Sequence, residues 1–217
     1  MNHEIEYKQY IETITTRKKT SLSYSKIEGR NTNLIQCNNI PPLILISLID
    51  HCPVGDGPLY ENFIVDAMGK IFSNIIDNKR VLMHGVCQGG YYDIEFPFCT
   101  ENLPKFQFWE SWHYMYEIKA IIVEVKNTME KMGPDISRQI KAYITGNKKG
   151  RFGILVSRNG FTLGARKELS CYAKDEKHLI LPITHQDIKL LLKLSLRGAY
   201  DVYKYLRIKE TQLLRIR

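Results

Sequence analysis

From residue 120 to residue 196 the chain alternates short apolar runs with stretches that read as helices. The runs are "AIIVEV" at 120–125, "RFGILVS" at 151–157 and "HLILPI" at 178–183. The helical stretches are 135–146, 164–174 and 184–196. Each run is too short for a helix of ordinary length and each is bounded by a breaker or a polar segment, so strands are expected there. Strand and helix in regular succession argue for an α/β layered domain, in which a central mixed sheet carries helices on both faces.

The upstream half adds to that core. Residues 4–18 are expected to form a short polar helix, and 20–39 is turn-rich without clear periodicity and reads as irregular. "IPPLILISLIDHC" opens with prolines, which suit a first helical turn, and runs apolar for two to three turns as an accessory helix. A second helix begins near Gly57–Pro58, with Leu59, Phe63, Ile64, Ala67, Ile71 and Ile75 at helical spacing. "RVLMHGVCQGGYYDIEFPF" reads as a hairpin turning at Gly89–Gly90, and "NLPKFQFWESWHYMYEI" as one aromatic helix held down by Trp109 and Trp112. "YKYLRIKETQLLRIR" closes the sequence as a basic amphipathic helix. The expected organisation is an accessory segment at 1–55, a core at 56–197 and a basic helix at 198–217.

Several function classes are excluded or disfavoured. At 217 residues, 44% hydrophobic and 25% charged, the chain fits one globular domain with extra elements. "LILISLI" at 43–49, the longest apolar run, is far too short to span a bilayer, so no membrane is expected and the cytoplasm is the default location. The five cysteines are scattered without metal-like spacing and read as reduced thiols. "GNKKG" and "MGKIF" lack P-loop glycine spacing, and neither GxSxG nor HExxH occurs. The net charge of +8 favours a polyanionic partner such as nucleic acid.

The candidate chemistry sits where "AIIVEV" ends. On a strand Glu124 and Lys126 share one side, about 7 Å apart, while Val125 points to the other. An acid two residues before a lysine also starts at Glu6, Asp77, Glu117, Asp175 and Asp187, so context and not spacing selects Glu124. Only there does an apolar run precede the acid, Asn127 follow, and a hairpin acid lie upstream. That acid is Asp93 in "GGYYDIEFP", with Glu95 as runner-up. A carboxylate pair with the Val125 carbonyl can ligate a hard cation, and an adjacent ammonium can orient water or neutralise phosphoryl charge. His84, His113 and His185 have no partners at motif spacing and are assigned no chemistry.

These motifs resemble the PD-(D/E)XK, or restriction-endonuclease-like, nucleases, most closely their Mrr-like branch, over roughly residues 56–195. "GPLYENFIVDAM" is similar to the family's first helix with its acid, Glu61; "GGYYDIEF" to the hairpin with its motif acid, Asp93; and "VEVKN" to its acid-X-lysine strand, Glu124 and Lys126. "SRQIKAY" matches the QxxxY element through Gln139 and Tyr143, which lie one turn apart on one helical face. "GRFGILVSRNGF" resembles the strand and loop that follow, making Ser157 and Arg158 candidate phosphate neighbours. The family's proline is missing before Asp93, where Tyr92 stands, and the Asp93–Glu124 separation is long.

The resemblance implies a Mg2+- or Mn2+-dependent endonuclease cutting DNA, with Asp93, Glu124, Val125 and Glu61 as metal donors and Lys126, Gln139 and Tyr143 completing the site. It also implies a homodimer and a role in bacterial restriction or antiphage defence, which in turn calls for a regulatory or sensor protein partner. The rival expectations are an inactive nucleic-acid-binding module of the same fold, or a nuclease for structured DNA or RNA.

Overall fold

The computed structural model describes residues 9, 12, 25–27, 30–87, 90–146 and 149–216. It is an α/β fold. Seven strands form one sheet in sequence order: β1 (Ser25–Ile27), β2 (Arg30–Ile35), β3 (Val81–Cys87), β4 (Gly90–Pro97), β5 (Ala120–Lys126), β6 (Phe152–Ser157) and β7 (Leu179–Thr184). Pairing is antiparallel from β1 to β5 and parallel from β5 to β7, so the sheet is mixed. The parallel half is built from the alternation in the sequence, because each helix returns the chain to the same end of the sheet. β6 is buried along its whole length, as a strand covered on both faces must be.

Helices α1 (Pro42–His51) and α2 (Gly57–Ile71) precede β3. Pro42 starts α1 and Pro58 stands second in α2, and the Asp56 carboxylate caps α2 by accepting from the Leu59 amide at 3.0 Å. Helices α4 (Pro134–Gly146) and α5 (Leu163–Asp175) make the two crossovers between the parallel strands, and α6 (His185–Ser195) and α7 (Ala199–Leu214) follow β7. α4 lies close on the sheet because Gly153 of β6 has no side chain. A Cβ there would stand 2.5 Å from Ile144 Cδ1 and 3.2 Å from Ile140 Cδ1. The accessory helix α1 and the C-terminal α7 belong to the same hydrophobic core as the rest, through Leu45, Leu48 and Ile49 and through Val202, Leu206 and Leu213. α7 is pinned further by Glu210, which is buried and accepts from Trp112 Nε1 at 3.1 Å and from the Tyr116 hydroxyl.

The structure departs from expectation in three places. Residues 20–39 are not irregular throughout, since β1 and β2 form a hairpin on the sheet edge. β1 is the edge strand, and β2 pairs with it through Arg30–Thr32 and with β3 only through Asn33–Ile35; "SKI" and "RNTNLI" are short and mostly polar, so neither shows the apolar alternation of an inner strand. The aromatic stretch is two elements, a 3-10 helix at Thr100–Lys105 containing Pro104 and then α3 (Gln107–Tyr116), with Phe106 at φ −132° and ψ 57° between them. Gly90 pairs with Cys87 as a strand residue, so it is not part of the hairpin turn. The expected helix at 4–18 lies outside the described residues except for 9 and 12, which are helical, and position 89 of the expected turn also lies outside them. The long passage from β4 to β5 does leave the sheet and return, with Trp109 and Trp112 buried against the core.

Candidate metal centre

β4 and β5 pair antiparallel with Ile94 opposite Val123, and continuing this register brings Asp93 beside Glu124. The two acids are tied through the backbone as well as by charge. Asp93 Oδ2 accepts from the Val125 amide at 2.7 Å, which ties Asp93 to the strand that carries Glu124. Lys126 Nζ donates to Glu124 Oε1 at 2.6 Å and lies 3.9 Å from Asp93 Oδ2. The hairpin acid and the acid-X-lysine strand thus form one cluster. Val125 contributes its amide to that cluster, and its side chain is buried in the core.

The third acid comes from α2. Glu61, 13% exposed, places Oε2 3.7 Å from His84 Nε2. Donor atoms of Glu61, His84 and Asp93 all lie within 4.8 Å of one another. The sequence shows no partner for His84, and the structure supplies two neighbours, Glu61 and Asp93. A hairpin turning between Cys87 and Gly90 puts His84 across from Asp93, whereas a turn at Gly89–Gly90 would have paired it with Glu95. Counting outward from the correct turn is the signal that finds it. The ladder runs through Met83–Ile94 and resumes at Gly85–Tyr92 without a pair at His84–Asp93, and His84 takes φ +52°. Such a conformation is uncommon for a non-glycine residue and occurs disproportionately at functional sites.

Burial sets the electrostatics. Desolvation, followed by repulsion from Asp93, pushes the Glu124 carboxyl from its ordinary 4.5 up to about 7, against the attraction of Lys126. Asp93 is also raised, chiefly by burial. For Lys126 burial favours the neutral amine, but the charges of Glu124, Asp93 and Glu61 outweigh it and raise the pKa. One ammonium therefore faces three largely buried carboxylates, with His84 beside Glu61 at their edge. Glu124 is 1% exposed and its Oε2 has no hydrogen-bond partner among the described residues. An orphaned, buried carboxylate oxygen in a cluster of three acids is a donor set suited to a hard divalent cation.

Other predicted residues are placed less directly. The Gln139 amide donates to the Tyr143 hydroxyl, and the Tyr143 ring packs against Tyr92 at 6.3 Å between centroids, next in sequence to Asp93. Glu95 does not join the donors: it is buried, accepts from the Tyr92 hydroxyl at 2.5 Å and pairs with Lys149 at 2.8 Å. Ser157 is buried with its hydroxyl donating to the Gly160 carbonyl at 2.8 Å, so it is not presented to a phosphate. Arg158 Nη1 donates to the Cys52 carbonyl at 2.8 Å and to Asn127 Oδ1 at 3.1 Å, and its guanidinium lies over Tyr60. Arg158 and Asn127 fasten the α1–α2 connection to the end of β5, with Asn127 Nδ2 donating to the Pro53 and Asp56 carbonyls. Those bonds hold Glu61's helix over the strand.

Compared with models of protein families, with curated proteins and with solved structures, the chain finds no match. Among the described residues no helix is long and apolar enough to cross a membrane.

Proposed function

We propose that this protein is a divalent-metal-dependent phosphodiesterase that cuts DNA, with Asp93, Glu124 and Glu61 holding Mg2+ or Mn2+ together with the Val125 carbonyl. The observation that carries the reading is Lys126 Nζ set 2.6 Å from Glu124 Oε1 and 3.9 Å from Asp93 Oδ2, beside an unpartnered buried Glu124 oxygen. A bound cation supplies Lewis-acid charge to the scissile phosphate and lowers the pKa of coordinated water.

The chain's own residues do the rest. Lys126 stays an ammonium at neutral pH, so its part is to neutralise phosphoryl oxygens and orient water, and it does not serve as a base. Gln139 and Tyr143 position the β4 strand through Tyr92. The basic surface, net +8, supplies affinity for phosphates that weakens with salt. A homodimer, a restraining or activating protein partner, a cytoplasmic setting and a role in defence against foreign DNA are consistent with this activity. The test is incubation with plasmid and Mg2+ or Mn2+, with and without EDTA. Cleavage that chelation abolishes supports the proposal, and binding without cleavage supports an inactive module.

A further inference from the structure

One potential donor beside this cluster, His84, lies outside the motif pattern. We infer that His84 ligates the same cation through Nε2, giving a mixed nitrogen–oxygen donor set that binds Mn2+ in preference to Mg2+. The inference rests on the metal-centre reading above. Its motivation is geometric: His84, Glu61 and Asp93 come from two strands and a helix, yet bring their donor atoms within 4.8 Å of one another. The 3.7 Å between His84 Nε2 and Glu61 Oε2 is a spacing that two donors on one ion can share, since each would sit about 2.0–2.2 Å from the metal.

Two independent features support the assignment. Glu124, 1% exposed and with an unpartnered Oε2 among the described residues, is joined to Asp93 of that group through Lys126, whose Nζ lies 2.6 Å from Glu124 Oε1 and 3.9 Å from Asp93 Oδ2. The left-handed backbone at His84 interrupts the β3–β4 ladder at the one position facing Asp93, and the half-exposed imidazole stays reachable from solvent. Mg2+ favours carboxylates, phosphates and retained waters, whereas imidazole donors shift affinity toward first-row transition ions.

The test uses the full chain stripped of metal and without nucleic acid. His84→Asn is the main variant, because Asn tolerates the left-handed backbone, and His84→Gln is the second. Calorimetric titration with MnCl2 and MgCl2 should show Mn2+ bound at least about tenfold tighter in the parent, with His84→Asn losing about tenfold for Mn2+ and less than about threefold for Mg2+. Electron spin-echo spectra of bound Mn2+ should show imidazole nitrogen coupling that disappears in both variants. Absence of that coupling in the parent, or equal losses for both ions, overturns the assignment. A circular-dichroism spectrum and thermal melt matching the parent verify that each variant is folded. The outcome separates from that of the nuclease reading: nitrogen coupling without plasmid cleavage sinks only the phosphodiesterase, and chelation-sensitive cleavage without nitrogen coupling sinks only the His84 ligand.

Discussion

Glu124→Gln should stabilise the metal-free protein at alkaline pH while removing its activity. The parent carboxyl titrates near 4.5 when unfolded and about 7 when folded, because burial and Asp93 oppose its charge. An acid whose folded pKa is raised favours the folded state fully below the unfolded value, and that favour is lost as pH rises through the folded value. At about 1.4 kcal/mol per pH unit, the rise from 4.5 to about 7 is worth about 3 kcal/mol, lost between roughly pH 4.5 and 7. Asp93, raised in the same direction, adds to the slope. Glutamine keeps the shape and accepts from Lys126 without the buried charge. Urea unfolding in EDTA at pH 5, 6, 7 and 8 should show the variant overtaking the parent above about pH 7, with a flatter pH profile. Saturating Mn2+ should reverse the order by stabilising the parent more. A variant less stable than the parent at pH 8 in EDTA would refute the claim that burial and Asp93 oppose the charge on Glu124.

Other outcomes follow from the same geometry. Lys126→Met should lower turnover by at least about a hundredfold with plasmid binding at low salt nearly unchanged, measured by gel cleavage and fluorescence anisotropy. Metal affinity in the parent should rise from pH 6 to pH 8, as a cation competes with the proton on Glu124, and calorimetry in buffers of different ionisation enthalpy should register proton release. Gly85→Ala should cost about 1–3 kcal/mol in chemical unfolding, because its Cβ would stand 2.0 Å from the Tyr92 ring, which must leave its place beside Tyr143 and Glu95. Glu210→Ala should cost about 2–4 kcal/mol, since it strands the buried donors of Trp112 and Tyr116 and leaves α7 held to α3 by the Tyr203 aromatic contacts, and Glu210→Gln should recover part of that loss.

Much of this architecture could be read from residues alone, and the exceptions have physical causes. The parallel half announces itself because strands buried on both faces become unbroken apolar runs, as in "FGILVS". The hairpin β1–β2 at the sheet margin is not legible because β1 has three residues and β2, split between pairing with β1 and with β3, is mostly polar, so neither offers an apolar alternation. Within the site, Asp93, Glu124 and Lys126 were recoverable from alternation and pairing, which depend on strand identity more than on exact register. His84 was not, because cross-strand position depends on the turn, and a shift of the turn by one residue moves every facing partner by two. Glu95 looked equivalent to Asp93 under strict alternation. The broken ladder at His84–Asp93 separates them, and Glu95 bonds instead to Tyr92 and Lys149. Arg158 carries the charge expected of a phosphate contact, yet its contacts with Cys52 and Asn127 depend on a loop whose path no local pattern encodes.

The most direct measurement is anomalous diffraction from a crystal soaked in MnCl2 after EDTA treatment. A manganese peak within about 2.5 Å of carboxylate oxygens from both Asp93 and Glu124 is the predicted result. A fully occupied soak with no peak between those two side chains, and Lys126 still bridging them unchanged, would contradict a shared divalent ion and leave the cluster as a structural salt bridge.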